Sequence, residues 1–124
     1  MNPKLLSGGD LAFIGDAYYE LVIREYVIKK DITSLYKLHE ECVKYVSRSA
    51  QYKIILAIMD KLTSEEEDIF RRGRNYNYKD KTVEYIYASG FEAIIGYLYL
   101  LNRMDRLKTI IDLSIKVIEE NNNE

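Results

Sequence analysis

The chain is nearly devoid of four residue types on which many folds and active sites depend. Its 124 residues include one cysteine, one histidine, one proline and no tryptophan. The single Cys42 excludes an internal disulfide framework and a cysteine-rich zinc site, and the single His39 excludes a multi-histidine metal centre. Long apolar runs are lacking too. The longest, Ala93 to Leu101 counting Gly96, is nine residues, against about twenty for a membrane-spanning helix. No membrane association is expected. The opening residues Met1-Asn-Pro-Lys-Leu-Leu-Ser7 hold no apolar signal-peptide segment, so the expected location is the cytoplasm. Net charge is also small: 18 basic and 20 acidic residues leave −2. A globally basic nucleic-acid binder is therefore not indicated, although local patches stay open. The length suits one domain with one core and leaves no room for a separate binding module. With 48% apolar and 31% charged residues, the chain is not disordered throughout.

What is present is helical periodicity. Apolar residues recur at three-to-four spacing almost everywhere, and the lone Pro3 lies outside every candidate element, so the reading is all-α. A first helix is expected from about Gly9 to Lys29, capped by Asp10, with Phe13, Ala17, Leu21 and Ile28 along one side. A second starts at Thr33 or Ser34 with the stripe Leu35, Leu38, Cys42, Tyr45 and Val46. A third, capped by Ser47 or Ser49, reaches about Leu62 and carries Ile54, Ile55, Ile58 and Met59. Thr63-Ser-Glu-Glu-Glu67 contains two overlapping capping boxes, and its acidic run suits a helix N-terminus. That short helix should stop near Gly73. Residues 73–81 read as a polar loop, followed by helices over about Thr82–Leu101 and Met104–Glu119. Residues 1–124 form one domain, with a core over about 8–119 and a frayed tail at 120–124.

Two carboxylates stand in the most apolar stretches. Asp16 lies within Leu11-Ala-Phe-Ile-Gly-Asp-Ala-Tyr-Tyr-Glu20, and Glu92 within Ala88-Ser-Gly-Phe-Glu-Ala-Ile-Ile-Gly96. A buried carboxylate is costly unless it is paired or metal-bound. Small neighbours (Gly15, Ala17, Gly90, Ala93) permit close helix approach, which would bring both acids into one site suited to a hard divalent ion. Glu20, one turn after Asp16 on the same face, can join that site or pair with Arg24 at i+4. Most helical acids are instead solvated or ion-paired.

These segments carry a family resemblance. Leu11-Ala-Phe-Ile-Gly-Asp-Ala17 resembles the signature helix of the ribonuclease III family, and Phe91-Glu-Ala-Ile-Ile-Gly-Tyr-Leu-Tyr-Leu100 its second acidic motif. Arg71-Arg-Gly-Arg-Asn75, Ser34-Leu-Tyr-Lys-Leu-His39 and Tyr45-Val-Ser-Arg-Ser-Ala50 are similar to segments of Mini-III, the small bacterial branch lacking a double-stranded-RNA-binding domain. The likeness covers about residues 8–108. It implies an endonuclease domain acting as a symmetric homodimer, each subunit cutting one strand of a double-stranded RNA. It implies Mg²⁺, with Mn²⁺ as a substitute, held by the catalytic pair Asp16 and Glu92, with Glu20 as a candidate third ligand. The wider family's two other acids fall on Ala12 and Ser89, losses that Mini-III members share. The metal would activate and orient water and neutralise charge on the scissile phosphate, with no protein nucleophile. Products would carry a 5′-phosphate and a 3′-hydroxyl, and the branch implies maturation of large-subunit (23S) precursor ribosomal RNA ends. The resemblance puts Phe13 at the two-fold dimer interface; residues alone read it as an ordinary core side chain.

Residues 71–81 carry Arg71, Arg72, Arg74, Lys79 and Lys81 against Asp80, a local net +4, interleaved with Asn75, Tyr76, Asn77 and Tyr78. Such a segment suits phosphate and 2′-hydroxyl contacts across an A-form minor groove. Arg71 has a local alternative in Glu67, and Arg72 in Asp68; Arg74 and the lysines have none. The resemblance makes Arg71, Arg72, Arg74, Asn75, Lys79 and Lys81 the RNA-contacting set, in a loop shorter than is common in the family. His39 and Cys42 read as structural, and Tyr97 and Tyr99 as core or interface. Ser47, Ser49 and Ser89 have no adjacent base, so a serine hydrolase is not supported. Two other function classes stay in play. The losses at Ala12 and Ser89 suit a non-catalytic RNA-binding or ribosome-associated protein on the same fold, and the tyrosine-rich faces suit a helical protein-interaction module.

Overall fold

A computed structural model describes residues 1–122 as six α-helices, with no strand among the described residues. They are α1 (Gly8–Ile28), α2 (Leu35–Val46), α3 (Arg48–Ile58), α4 (Ser64–Arg74), α5 (Val83–Leu100) and α6 (Met104–Asn122). Local chemistry sets most of the starts. The side chains of Ser7, Ser34, Ser47, Thr63 and Thr82 each accept a hydrogen bond from the backbone N–H three residues on, satisfying an otherwise orphaned donor. Ser47 ends α2 and caps α3 at once, which forces a sharp turn between them. At α4 the capping box is complete: Thr63 accepts from the Glu66 N–H, and Glu66 accepts from the Thr63 N–H. The break before α6 is made by Asn102, whose positive φ of 56° closes a helix-ending turn in which Arg103 N–H bonds to Leu98 C=O.

α5 is the central helix. Every residue from Ala88 to Leu98 is buried, and α1, α3, α4 and α6 pack around it, as expected of a helix apolar on all sides. Two of these contacts are main chain on main chain. A Cβ on Gly15 of α1 would lie 1.8 Å from the carbonyl oxygen of Glu92, and one on Gly96 would lie 2.0 Å from that of Leu11. Only hydrogen fits at either position. The far end of the bundle is tied by polar groups instead: Lys30 donates to Glu41 at 2.8 Å, and the Tyr26 and Tyr45 hydroxyls both bond Glu119 of α6.

Several expected details differ. Ser7, not Asp10, caps α1. Only the Thr63–Glu66 box forms, because Ser64 is already helical. α4 ends at Arg74, next to Gly73 as expected, but Gly73 is still helical and serves as a contact point, its would-be Cβ 2.6 Å from that of Ala93. The side of α1 carrying Phe13, Ala17, Leu21 and Ile28 faces outward, and the core side is Leu11, Ala12, Gly15, Tyr19, Ile23 and Val27. α6 continues past Glu119 to Asn122; of the tail expected at 120–124, residues 123 and 124 lie outside the described residues.

Candidate active site

The Gly15–Glu92 contact sets the site. Asp16 follows Gly15 directly, so the backbone approach that seats α1 on α5 also brings the Asp16 and Glu92 side chains into one cleft of about 210 Å³. α1 contributes Gly9, Ala12 and Phe13 to its walls, α5 contributes Tyr85 and Ser89, α3 contributes Arg48, and the loop contributes Tyr78. Ala12 and Ser89, the positions where acids of the wider family are missing, thus line the same cleft as the two acids retained.

Glu92 is 4% exposed. Its Oε2 accepts from Gln51 Nε2 at 3.3 Å, and its Oε1 lies 3.9 Å from Arg48, too far for a hydrogen bond. Gln51 Nε2 also donates to the Val46 carbonyl at 3.1 Å, while its Oε1 is buried without a partner among the described residues. Burial, then the neighbouring Asp16 carboxyl, pushes the pKa of Glu92 up to about 8; Arg48 and Gln51 pull it down without offsetting that rise. A cation shared with Asp16 would let the carboxyl ionise. The donor set therefore fits a hard divalent ion. No group of three or more His, Cys, Asp or Glu converges among the described residues, so Asp16 and Glu92 would be its side-chain ligands, and water and substrate oxygens would complete the shell, as Mg²⁺ prefers.

The other expected site residues are more scattered. Glu20 is outside the cleft and bonds Arg24 at 3.0 Å. Phe13 is 82% exposed at the cleft rim, so it is not a core residue. Arg71 pairs with Asp68 and, at 3.9 Å, with Glu67. Arg72 does not take Asp68: it donates to the carbonyls of Lys4 at 2.9 Å and Leu6 at 3.2 Å, holding the N-terminal segment against α4. Arg74 makes no ion pair among the described residues; it bonds Asn75 at 3.1 Å and lies 5.6 Å from the Phe70 ring centre. Lys79 and Lys81 are exposed, with no ion pair among the described residues. The loop is anchored by aromatics: Tyr78 donates to the Gly73 carbonyl at 2.7 Å and packs edge-on against Tyr85, while Tyr76 covers Gly9.

Sequence reasoning passed over Gln51 and Arg48, the two α3 residues that reach Glu92. Gln51 carried a usable signal, since it lies on the same helical stripe as Ile54, Ile55 and Ile58 and is a polar residue on an apolar face. Arg48 carried none.

Comparison with known proteins accords with this architecture. The Ribonuclease III domain family matches residues 9–103. The chain is 50% identical to a Mini-ribonuclease 3 of Thermoanaerobacter sp. (strain X514), over 89% of this chain and 81% of the relative. It is 40% identical to that of Streptococcus pneumoniae (strain ATCC BAA-255 / R6), over 96% of this chain and 98% of the relative. A crystal structure of a Fusobacterium nucleatum protein superposes with a TM-score of 0.80 at 33% identity, covering 90% of this chain and 93% of the other. With both acidic motifs in one cleft and the family match running across all but the last helix, the chain belongs to the ribonuclease III family, on its Mini-ribonuclease 3 branch.

Proposed function

We propose that this protein is a metal-dependent endoribonuclease that hydrolyses phosphodiester bonds in double-stranded RNA, leaving 5′-phosphate and 3′-hydroxyl ends. The observation that carries the reading is the buried, under-partnered Glu92 carboxyl beside Asp16 at the bottom of an open cleft. Asp16 and Glu92 hold the ion, and Gln51 keeps the Glu92 carboxyl oriented. Mg²⁺, or Mn²⁺ in its place, supplies a water of lowered pKa and positive charge against the phosphate. Glu20 serves as a third carboxylate only by leaving Arg24. The basic segment from Arg71 to Lys81, and Lys79 and Lys81 above all, meets the RNA backbone.

The outward stripe of α1 (Phe13, Ala17, Leu21, Ile28) supports a homodimer. Its apolar side chains are exposed on one face beside the cleft, and a two-fold axis through that face would pair it with itself. Two clefts would then address the two strands of one duplex. Membership of the Mini-ribonuclease 3 branch supports precursor large-subunit ribosomal RNA as substrate and the cytoplasm as location; no helix among the described residues is long and apolar enough to cross a membrane. The test is cleavage of duplex RNA by the purified chain with Mg²⁺ and with chelator, beside Asp16→Asn. Cleavage that needs the metal and Asp16 is expected. Persistence in chelator, or full activity of the variant, would sink the reading. Tight RNA binding with no cleavage at any Mg²⁺ or Mn²⁺ concentration would favour the non-catalytic alternative.

A further inference from the structure

Arg48 is the one cationic side chain lining the Asp16–Glu92 cleft among the described residues, and the fold does little else with it. Its side chain is 48% exposed, so an incoming anion need not strip it from a buried site. Its guanidinium makes no hydrogen bond to protein among the described residues; the approach to Glu92 at 3.9 Å is electrostatic only. It lies over the Tyr85 ring, 4.0 Å from the centroid, a cation–π seat that holds the planar fork in place while leaving its N–H edges open. Its backbone position is also telling. Arg48 is the first residue of α3, whose first turn has no acidic residue. A cation there opposes the helix dipole, so helix stability does not account for it. The same arrangement adds the positive end of α3 to the guanidinium's charge at one spot on the cleft wall.

We propose that Arg48 is a substrate-binding residue of this cleft, its guanidinium gripping the non-bridging oxygens of the RNA backbone phosphate that enters between Asp16 and Arg48. The guanidinium fork matches phosphate geometry in a way that an ammonium does not. The nearby charges support the assignment. The other charged side chains at the cleft, Asp16 and Glu92, are acidic and offer a phosphate nothing, and Asp80 of the loop is exposed. Arg48 is thus the protein's own countercharge on that wall. The proposal rests on the endonuclease reading for the identity of the anion.

The rival role for Arg48 is to neutralise Glu92, and two measurements on the full chain separate the two. The first is steady-state cleavage of duplex RNA by wild type, Arg48→Ala and Arg48→Lys across a Mg²⁺ titration. A fall of about 10–100-fold in kcat/KM for the alanine variant, carried by KM, is expected, with partial rescue by lysine and an unchanged Mg²⁺ requirement. The second is duplex binding against salt in the cleavage-dead Asp16→Asn background. Adding Arg48→Ala should flatten the slope of log affinity against log salt by about 0.9, one phosphate contact. Wild-type cleavage in the variants, or a defect erased by extra Mg²⁺ with an unchanged salt slope, overturns the proposal. If wild type itself cuts no duplex, the endonuclease reading falls, and the salt slopes of wild type and Arg48→Ala alone decide Arg48. Should the alanine variant fail to fold, Arg48→Gln, which keeps the length of the side chain without its charge, gives the same two readouts.

Discussion

Glu66 on α4 and Glu92 on α5 are almost equally buried, 3% and 4% exposed, and their surroundings treat them in opposite ways. Around Glu66 every acceptor is used. Arg106 of α6 donates from Nε and Nη2 at 2.8 Å each, and the Thr63 N–H donates at 3.0 Å. Burial pushes the Glu66 pKa up, but the Arg106 and Thr63 hydrogen bonds outweigh it, and the net shift is downward. Around Glu92 there is one long hydrogen bond and one distant guanidinium, and the shift is upward. Burial alone therefore does not mark a working carboxylate. Glu66 clamps α4 to α6 with its charge fully answered, whereas Glu92 is left short of positive charge in a cleft that opens to solvent.

Exchanging the two losses breaks this comparison most sharply. Glu92→Gln should reduce cleavage by on the order of 10³-fold, while its melting temperature stays at or above wild type, because a neutral isostere removes an ill-paired buried acid. A clear drop in melting temperature would mean that Glu92 is a structural group like Glu66. Next is Gly15→Ala, which sets a methyl group against the Glu92 carbonyl. Unfolding in urea should show a loss of about 3 kcal/mol, with cleavage falling in the folded fraction as the two acids are pushed apart.

Glu66→Gln should cost about 2–3 kcal/mol, less than a fully buried pair because Arg106 is partly exposed, and should leave cleavage per folded molecule unchanged. Its pH dependence has a definite sign. Glu66 is held below its ordinary value of 4.5, so its contribution is complete above that pH and is lost as the pH falls through the lower folded value. The gap between wild type and Glu66→Gln should therefore close on acidification, and a gap that widens would contradict the ion pair. The smallest effect is expected for Gln51→Leu. It removes the hydrogen bonds to Glu92 and to the Val46 carbonyl together with the unpartnered Oε1, so stability should fall by only about 1 kcal/mol. Cleavage should fall about tenfold, with a raised Mg²⁺ requirement.

How much could be read in advance followed from how local each cause is. The α4 capping box, the Ser34 and Ser47 caps, each one of two candidates, and the break at Asn102 are short-range chemistry, and each was visible in the residues themselves. The convergence of Asp16 and Glu92 was legible through the small residues beside them. The orientation of α1 was not. Phe13, Ile14, Leu21, Val22, Ile23, Val27 and Ile28 run most of the way round the helix, so the spacing fits more than one buried side. The buried side is selected by Gly15, a residue with no hydrophobic weight, because only there can the backbone of α5 come close. Gly73 marked the end of α4 to within one residue, but its role is close contact: such a glycine looks in sequence like one that caps a helix. Arg48 and Gln51 act across 41 to 44 positions of chain; the polar Gln51 on an apolar stripe signals burial, but nothing local names the partner of either.

The Gly15–Glu92 contact bears on how this protein can vary over time. Side-chain packing drifts as residues are exchanged, and helices shift by fractions of an ångström to follow. Here the spacing of the two acids is gauged by one peptide group lying directly on another, and no exchange among the surrounding leucines and isoleucines changes the thickness of a main chain. The rest of the core can be rewritten extensively while the distance between Asp16 and Glu92 is inherited intact.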